Sequence, residues 1–323
     1  MRTADTPFDE LLTRLVDARR RVATSQLVRL SGLYEEEAGR LAAVWSGLAL
    51  ARRRLIVSRL AELAEDNLEL DFDQVYLIAL TDADAQVRAR AVEGLWDSED
   101  VRLTPKLIDI IQHDPDETVR AHAAIGLRHF SLMAELGELS VGRTQEIRSA
   151  LMGVLANSGE EVEVRRRALE ALGPFSDATV HGLISQAYEQ PERGMRSSAL
   201  YAMGQTCDHS WLPLLRKELG NADAEMRYEA AHALGEYGQD ARETVLALLP
   251  LLSDADPQVR LAAVRALGTI GGNEAARALR RVRGSGDERT REAVEDALEE
   301  IKFYSHPLSL GLIPRPRDDT ADN

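Results

Sequence analysis

The sequence has a single cysteine, Cys207, among 323 residues. Neither an internal disulfide nor a thiolate metal cluster can form, so a reducing cytoplasm is the expected compartment. No apolar run is long enough to span a bilayer, because the longest, residues 41–51, is short and interrupted by Ser46. No N-terminal stretch has the pattern of a signal peptide. We therefore expect a soluble, cytoplasmic protein without membrane insertion.

Motifs that carry chemistry are also scarce. The seven histidines lack the spacing typical of zinc ligands, and the glycines form no phosphate-binding loop. Cys207, Asp208 and His209 are adjacent in sequence, so their side chains cannot all converge on one substrate atom. No His-Glu dipeptide occurs anywhere. These absences predict that the chain is not an enzyme and holds no metal or cofactor.

Charge is present in excess but is unevenly distributed. The chain carries 54 acidic and 39 basic residues, for a net charge of −15. Residues 1–60 hold 11 arginines against 7 acids and are positive, whereas the rest is strongly acidic. An acidic body repels phosphate backbones, which argues against nucleic-acid binding. The alternative is a helix-turn-helix in the basic N-terminal segment, with phosphate contacts from Arg19, Arg20, Arg21, Arg52, Arg53 and Arg54.

What the sequence has in abundance is one pattern repeated around an arginine. Its clearest copy is residues 254–268, Asp-Ala-Asp-Pro-Gln-Val-Arg-Leu-Ala-Ala-Val-Arg-Ala-Leu-Gly. Apolar residues recur three, four and seven positions after the arginine, which places them on one buried helical face. Most copies are 31 to 33 residues apart. The seven arginines are Arg88, Arg120, Arg165, Arg196, Arg227, Arg260 and Arg291.

Each copy also has marks of a helix start and a helix end. An acid stands four residues before the arginine, where it can accept hydrogen bonds from the first free amides, and Pro257 suits the first helical position. A glycine eight residues after the arginine predicts a left-handed helix stop. These glycines are Gly173, Gly204, Gly235 and Gly268. A second apolar helix, such as residues 244–252, precedes each marked helix.

The pattern Asp-x-Asp-x-x-Val-Arg-x-x-Ala-x-x-x-Leu-Gly resembles the HEAT repeat, specifically the short bacterial variety also found in phycobilin lyases. The resemblance covers residues 80–300 and implies stacked pairs of helices in which neighbouring repeats complete each other's core. The predicted fold is all-α, a right-handed α-solenoid of about eight two-helix HEAT-like repeats. We predict an N-terminal helical cap at residues 1–50, the solenoid at 51–301, and a partly disordered tail at 302–323 whose apolar first part covers the last repeat.

The resemblance also raises two classes of enzyme. Di-iron deoxyhypusine hydroxylases are HEAT proteins recognised by repeated His-Glu pairs, and the lack of such pairs excludes that class here. A bilin-lyase-like accessory enzyme remains an alternative through repeat similarity, although no set of residues marks a chromophore site.

One gap in the repeat is longer than the others. Arg120 and Arg165 are 45 residues apart, and the extra residues lie within 131–145. Insertions in solenoids usually form loops at an edge. The segment is therefore expected to be a loop, which either contacts a partner or is a tolerated insertion.

The repeated arginines are predicted to be structural. Each lies near the start of its helix, where the helix dipole disfavours a cation, so neighbouring acids must compensate it. We expect an arginine ladder, in which the seven arginines named above tie each turn to the next repeat. The compensating acids are Asp82, Asp84, Asp114, Asp116, Asp254 and Asp256.

A binding surface is the remaining candidate for function. Positions five residues after the repeated arginine lie off the buried stripe and include Tyr201, His232 and Arg265, with Tyr228 close by. Aromatic and arginine side chains are common anchors of interfaces, and Trp96 is a further candidate. We predict a non-enzymatic interaction scaffold or regulatory subunit that binds a protein or peptide on its curved surface, in a groove through residues 190–270. The sequence leaves the oligomeric state open.

Overall fold

The computed structural model describes residues 7–17, 19–284 and 287–304. Within these ranges the regular secondary structure is entirely helical, and the predicted all-α solenoid is confirmed. Predictions for the tail beyond residue 304 lie outside the described residues. Contacts divide the chain into two compact units, Met1–Leu172 and Gly173–Asn323, which are described separately.

The described residues of the first unit form ten α-helices. Even-numbered helices from α4 onward contact one another in series, as do α3 with α5 and α7 with α9, so the helices form two rows. The predicted boundary after residue 50 falls directly after the first residue of α4 and remains a prediction. The helices are α1 Phe8–Val16, α2 Thr24–Leu27, α3 Glu35–Trp45, α4 Leu50–Asp66, α5 Asp73–Ala79, α6 Ala85–Gly94, α7 Thr104–His113, α8 Glu117–Glu135, α9 Val141–Ala156 and α10 Val162–Leu172.

Eight α-helices are formed by the part of the second unit that the structure describes, and the even-numbered ones again contact in series. These even-numbered helices carry the repeated arginine, so they are called the second helices of the repeats. Short 3₁₀ segments join several of the others. The helices are α11 Ala178–Tyr188, α12 Arg193–Thr206, α13 Leu212–Glu218, α14 Ala224–Glu236, α15 Val245–Leu248, α16 Pro257–Ile270, α17 Gly272–Val282 and α18 Glu288–Tyr304.

The predicted helix starts have the expected chemistry. The carboxylates of Asp84, Asp116, Asp223 and Asp256 accept hydrogen bonds from backbone amides in the first turns of α6, α8, α14 and α16. Such a cap satisfies amides that have no partner within the helix. Glu192 precedes α12 without a capping hydrogen bond from its side chain.

The predicted glycine stops are wrong for three of the four glycines. Gly204, Gly235 and Gly268 lie inside α12, α14 and α16, which continue two residues or one residue beyond them. A Cβ built on Gly204 would lie only 2.7 Å from the Cα of Ala233, and one on Gly268 only 2.8 Å from the Cβ of Ala297. These glycines therefore permit close approach of the next second helix and do not end their own.

The left-handed stops occur three residues later. Cys207, Gly238 and Gly271 have φ values of 48°, 51° and 70°, each eleven residues after its repeated arginine. Glycine adopts this conformation without steric cost, whereas Cys207 carries a Cβ. Two of the three repeats thus use glycine at the true end of the helix.

The expected loop at residues 131–145 is also wrong. Most of the extra residues extend α8 to Glu135 and begin α9 at Val141, which leaves only a short connection. Segment 117–135 has no glycine at the position where Gly238 and Gly271 end their helices, because Ser131 stands there. Nothing stops α8 at that point, so the insertion lengthens a pair of helices.

The repeated arginines make several kinds of contact. Arg88 donates two hydrogen bonds of 2.7 Å to Asp114, and Arg227 forms the same pair with Asp254 at 2.8 and 2.7 Å. Arg120 pairs with Glu160 at 2.7 Å, and Arg260 lies 3.6 Å from Asp287. In these four cases the acid belongs to the next repeat along the chain.

Two arginines of the predicted ladder have different partners. Arg165 donates to the backbone oxygen of Leu155, and the Arg196 guanidinium lies 5.5 Å from the centre of the Tyr188 ring. Arg291 is exposed on α18.

In the described part of the chain, no helix is both long and apolar enough to cross a membrane.

Candidate functional site

A cleft of about 780 Å³ opens along three consecutive second helices of the second unit. It is lined by α14, by the turn that follows α14, by α16 and by the end of α18. Because these helices are neighbours in the row, each contributes the face that lies off its buried stripe. Side chains that are a repeat or more apart in sequence therefore meet on one surface.

Three of the predicted contact residues form a stack of aromatic rings at one side of this cleft. His232 lies between Tyr201 and Tyr228, with ring centres 5.7 and 6.2 Å apart and planes within 12° of parallel. Tyr228 and His232 line the cleft itself, together with Arg265. The structure thus brings together all four residues predicted in the second unit, while their role as contacts remains a prediction.

The ionisable groups of the cleft are mainly acidic. Glu236, Asp240 and Glu300 line it, and Arg265 is its one arginine among the described residues. His232 Nε2 lies 3.6 Å from the Glu236 carboxylate. The cleft therefore carries more negative than positive charge.

Two of these groups have no partner within the described residues. Glu300 forms neither an ion pair nor a hydrogen bond there, and burial raises the pKa of its carboxyl above the usual range. The Arg265 guanidinium likewise forms no ion pair among the residues that the structure describes. A half-buried carboxylate without a partner costs free energy unless a ligand supplies the missing cation.

Sequence reasoning missed Tyr237, Tyr304 and Glu300, which also line the cleft. Tyr237 is buried, and its hydroxyl lies 3.0 and 2.8 Å from the backbone oxygens of Met203 and Asp208, either of which can accept its one hydrogen. Burial raises the pKa of this hydroxyl well above its usual value. Tyr237 thus holds the turn that forms one wall of the cleft. The sequence offered one signal for Tyr237, because this residue stands directly before Gly238, which ends the helix.

The Cys207, Asp208 and His209 segment does not form a nucleophilic site. The Cys207 sulfur lies near the backbone oxygens of Gly204 and Glu236, either of which can accept the one thiol hydrogen. Burial, with nearby Glu236 and Asp240, raises the pKa of this thiol. A raised pKa lowers the population of the reactive thiolate. His181 stacks on Trp211 at 4.0 Å, and its Nε2 faces both Ser210 and Asp208. A catalytic relay needs the acid on the other ring nitrogen.

The remaining candidates lie in the first unit. Trp96 follows the end of α6 and is 69% exposed, so it is available for a contact that remains a prediction. Three of the six arginines proposed to touch phosphate have internal partners. Arg52 is buried and donates to backbone oxygens of Asp17 and Arg20, while Arg53 pairs with Asp82 and Arg54 with Asp84. Arg19, Arg20 and Arg21 are exposed, and the nucleic-acid alternative stays a prediction that rests on them.

Comparison with known proteins identifies the repeats. The family model for HEAT repeats matches residues 74–141 and 212–299. The chain is a HEAT-repeat protein. The complex of CpcE and CpcF of phycocyanin lyase from Nostoc sp. PCC7120 is similar in fold, with a TM-score of 0.52, 18% identity, and coverage of 88% of this chain and 97% of that one. Yeast importin-beta has a TM-score of 0.53 at 14% identity, over 93% of this chain and 47% of importin-beta.

A curated relative bears on activity. The deoxyhypusine hydroxylase of Drosophila pseudoobscura pseudoobscura is 33% identical over 121 residues, which are 37% of this chain and 39% of the hydroxylase. The match thus spans well under half of that relative's length. The relative is an enzyme, and this finding contradicts the prediction that the chain is not one. The absence of His-Glu pairs was too narrow a basis for excluding catalysis in general.

The iron chemistry of such hydroxylases does not fit the residues found here. No group of three or more His, Cys, Asp or Glu side chains within residues 7–17, 19–284 and 287–304 is arranged to hold a metal ion. A pair of iron ions needs several such ligands in one place. No catalytic step is therefore assigned through iron.

Proposed function

We propose that the cleft of the second unit binds an extended segment of a partner polypeptide that carries a lysine or arginine side chain. One observation carries this proposal: an unpaired, half-buried carboxylate, Glu300, shares a cleft with aromatic rings and with further acids. HEAT repeats serve generally as protein-interaction scaffolds, which is the coarser function of the family.

The physical reason is electrostatic and aromatic complementarity. A basic side chain in the cleft would supply the counter-charge that Glu300 lacks, and Glu236 and Asp240 would add to the attraction. Tyrosine rings also attract cations through their negative faces. Apolar walls from Leu261, Ala262 and Ala266 would take the neighbouring apolar side chains of the segment.

The proposal can be tested with an array of fluorescein-labelled 12-residue peptides that vary in basic and apolar content. We expect peptides with arginine or lysine beside leucine to bind the full chain, as measured by fluorescence anisotropy. Combined Tyr201→Ala and Tyr228→Ala should weaken this binding at least about tenfold, as expected for aromatic anchors. Tyr34→Ala is the matched control, because Tyr34 is an exposed tyrosine outside the cleft. Equal binding by the double variant and wild type would refute the proposal.

A second candidate is an accessory enzyme of the lyase type that holds an open-chain tetrapyrrole in the same cleft. Two observations favour it: the curated relative is an enzyme, and the cleft volume suits a small organic ligand. The test is absorbance after gel filtration of the purified chain mixed with phycocyanobilin. Co-elution of colour that is lost with Tyr228→Ala would support this candidate, and colour confined to the free-ligand fractions would dismiss it.

A further inference from the structure

We propose that residues 305–317 of this chain occupy the cleft as an intramolecular ligand, which a partner segment must displace. This inference rests on the proposed function, because it assigns the first occupant of the same cleft. The segment reads Ser-His-Pro-Leu-Ser-Leu-Gly-Leu-Ile-Pro-Arg-Pro-Arg.

The helix α18 ends at the cleft. Tyr304 lines both the cleft of about 780 Å³ and an adjacent cavity of about 220 Å³. Gln239 and Thr269 also line both. The last described residue therefore lies at the cleft. Thirteen residues in extended form reach up to about 43 Å, which exceeds what is needed to follow three neighbouring helices about 10 Å apart.

The segment is rich in apolar residues and proline. Four apolar residues, Leu308, Leu310, Leu312 and Ile313, match the apolar walls that Leu261, Ala262 and Ala266 give the cleft. Prolines at 307, 314 and 316 favour extended backbone and reduce the conformational entropy lost on binding. An extended apolar segment is the form of ligand that a narrow cleft between helices accepts.

The charge of the segment is opposite to that of the cleft. Arg315 and Arg317 would supply the cation that Glu300 lacks, and Glu236 and Asp240 would add to the attraction. Residues 318–323 carry the acids Asp318, Asp319 and Asp322, and they are not part of the proposed contact. The basic and acidic parts of the tail are thus separated, which gives a matched control for mutagenesis.

Tethering makes a weak contact sufficient. A segment joined to its own binding site has an effective concentration of about 1 mM, so even an intrinsic dissociation constant near 100 μM leaves the cleft about 90% occupied. A partner segment must then compete with the tail, and its apparent affinity falls about tenfold.

The test uses the full chain and one probe, a fluorescein-labelled synthetic peptide with the sequence of residues 305–317. The tail variant combines L310S, L312S, R315Q and R317Q, and the control variant combines D318N and D319N. We expect the peptide to bind the tail variant about tenfold more tightly than wild type or the control variant. Amide hydrogen exchange at residues 236–240 should be faster in the tail variant than in wild type.

The outcomes separate this inference from the proposed function. If the peptide binds wild type and tail variant equally and hydrogen exchange is unchanged, the tail does not occupy the cleft, while the cleft remains a peptide site. If the peptide and the basic peptides of the array bind none of the proteins, both proposals fail. If peptide binding to the tail variant is lost with Glu300→Gln, the contact is located in the cleft. A concentration-dependent dimer that the tail variant abolishes would overturn the intramolecular form.

Discussion

The two units differ at the position eight residues after the repeated arginine. For the arginines of the first unit that position holds Trp96 after Arg88 and Arg128 after Arg120, and glycine only after Arg165, at Gly173. For those of the second unit it holds Glu299 after Arg291 and glycine in the other three repeats, at Gly204, Gly235 and Gly268. The three glycines let the next second helix approach to a distance at which any Cβ would crowd or collide with it. One repeated pattern thus produces two kinds of helix stacking.

The polar contacts of the outer face also differ. The ladder is closed by carboxylates of the next repeat in both units, at Arg88 and Arg120 in the first and at Arg227 in the second. On the outer face His122 lies near Glu93 in the first unit. In the second unit Glu300 and Arg265 have no partner among the described residues, and three aromatic rings stack on the same face. A repeat therefore gains a candidate site where its outer face is not fully self-satisfied, because ligand groups can replace the missing partners.

The largest expected effect concerns the ladder of the first unit. Arg88→Ala removes two hydrogen bonds to Asp114 and leaves that buried carboxylate without its cation. Breaking a buried ion pair in this way costs about 3 to 5 kcal/mol. Urea unfolding followed by circular dichroism measures the change. Arg90→Ala, which removes an exposed pair with Glu93 on the same helix, should cost less than about 0.5 kcal/mol.

The equivalent arginine of the second unit sharpens the comparison. Arg196 lies over the Tyr188 ring, so Arg196→Ala should cost only about 1 kcal/mol in the same assay. Equal losses for Arg88→Ala and Arg196→Ala would contradict the distinction between the two kinds of contact.

Close helix approach in the second unit predicts the next effect. Gly204→Ala forces a Cβ against the backbone of Ala233 and should destabilise the protein by about 1 to 3 kcal/mol. Gly153→Ala is the control, because open space surrounds Gly153 and alanine is the better helix former. That change should stabilise the protein by about 0.5 to 1 kcal/mol. Thermal unfolding would show opposite shifts, and shifts of the same sign would argue against the close packing.

The unpaired carboxylate predicts a pH-dependent effect. The pKa of Glu300 is raised in the folded state, so its contribution to stability is present below the unfolded pKa and is lost as pH rises through the folded one. In the tail variant, whose cleft lacks the arginines of the tail, Glu300→Gln should therefore raise the unfolding temperature by about 2 °C at pH 7 and change it little at pH 4. Glu299→Gln, at the exposed neighbour, is the control. A gain that persists at pH 4 would point to a cause other than charge.

The smallest expected effect lies at the end of α12. Cys207 has a φ of 48°, where the next two repeats have Gly238 and Gly271. Cys207→Gly relieves a strain of about 1 kcal/mol but adds freedom to the unfolded chain, for a net gain of about 0.5 kcal/mol. Cys207→Ser keeps the strain and should give no gain in urea unfolding. Comparable stabilities for the two variants would leave the strain unsupported.

The repeat pattern was enough to predict the helices, their starts and the surface that bears Tyr201, Tyr228, His232 and Arg265. It failed on the glycines because a glycine inside a helix and one that ends it look alike in sequence. Whether a glycine permits close approach of a neighbouring helix can be seen only in the folded structure, where that helix is present. The prediction that the chain is not an enzyme rested largely on the absence of His-Glu pairs. The hydroxylase that contradicts this prediction is similar to the chain in sequence, although the chain has no such pair.

An all-α array of HEAT repeats could be predicted from the residues alone, because apolar periodicity and capping residues act locally and recur in each copy. Which side chains meet across repeats depends on the folded arrangement of the helices. Glu300 and Tyr304 are more than sixty residues from His232 in sequence, yet they line the same cleft. Stacking of neighbouring helices brings them together, and that juxtaposition depends on contacts between repeats that no single copy of the pattern contains.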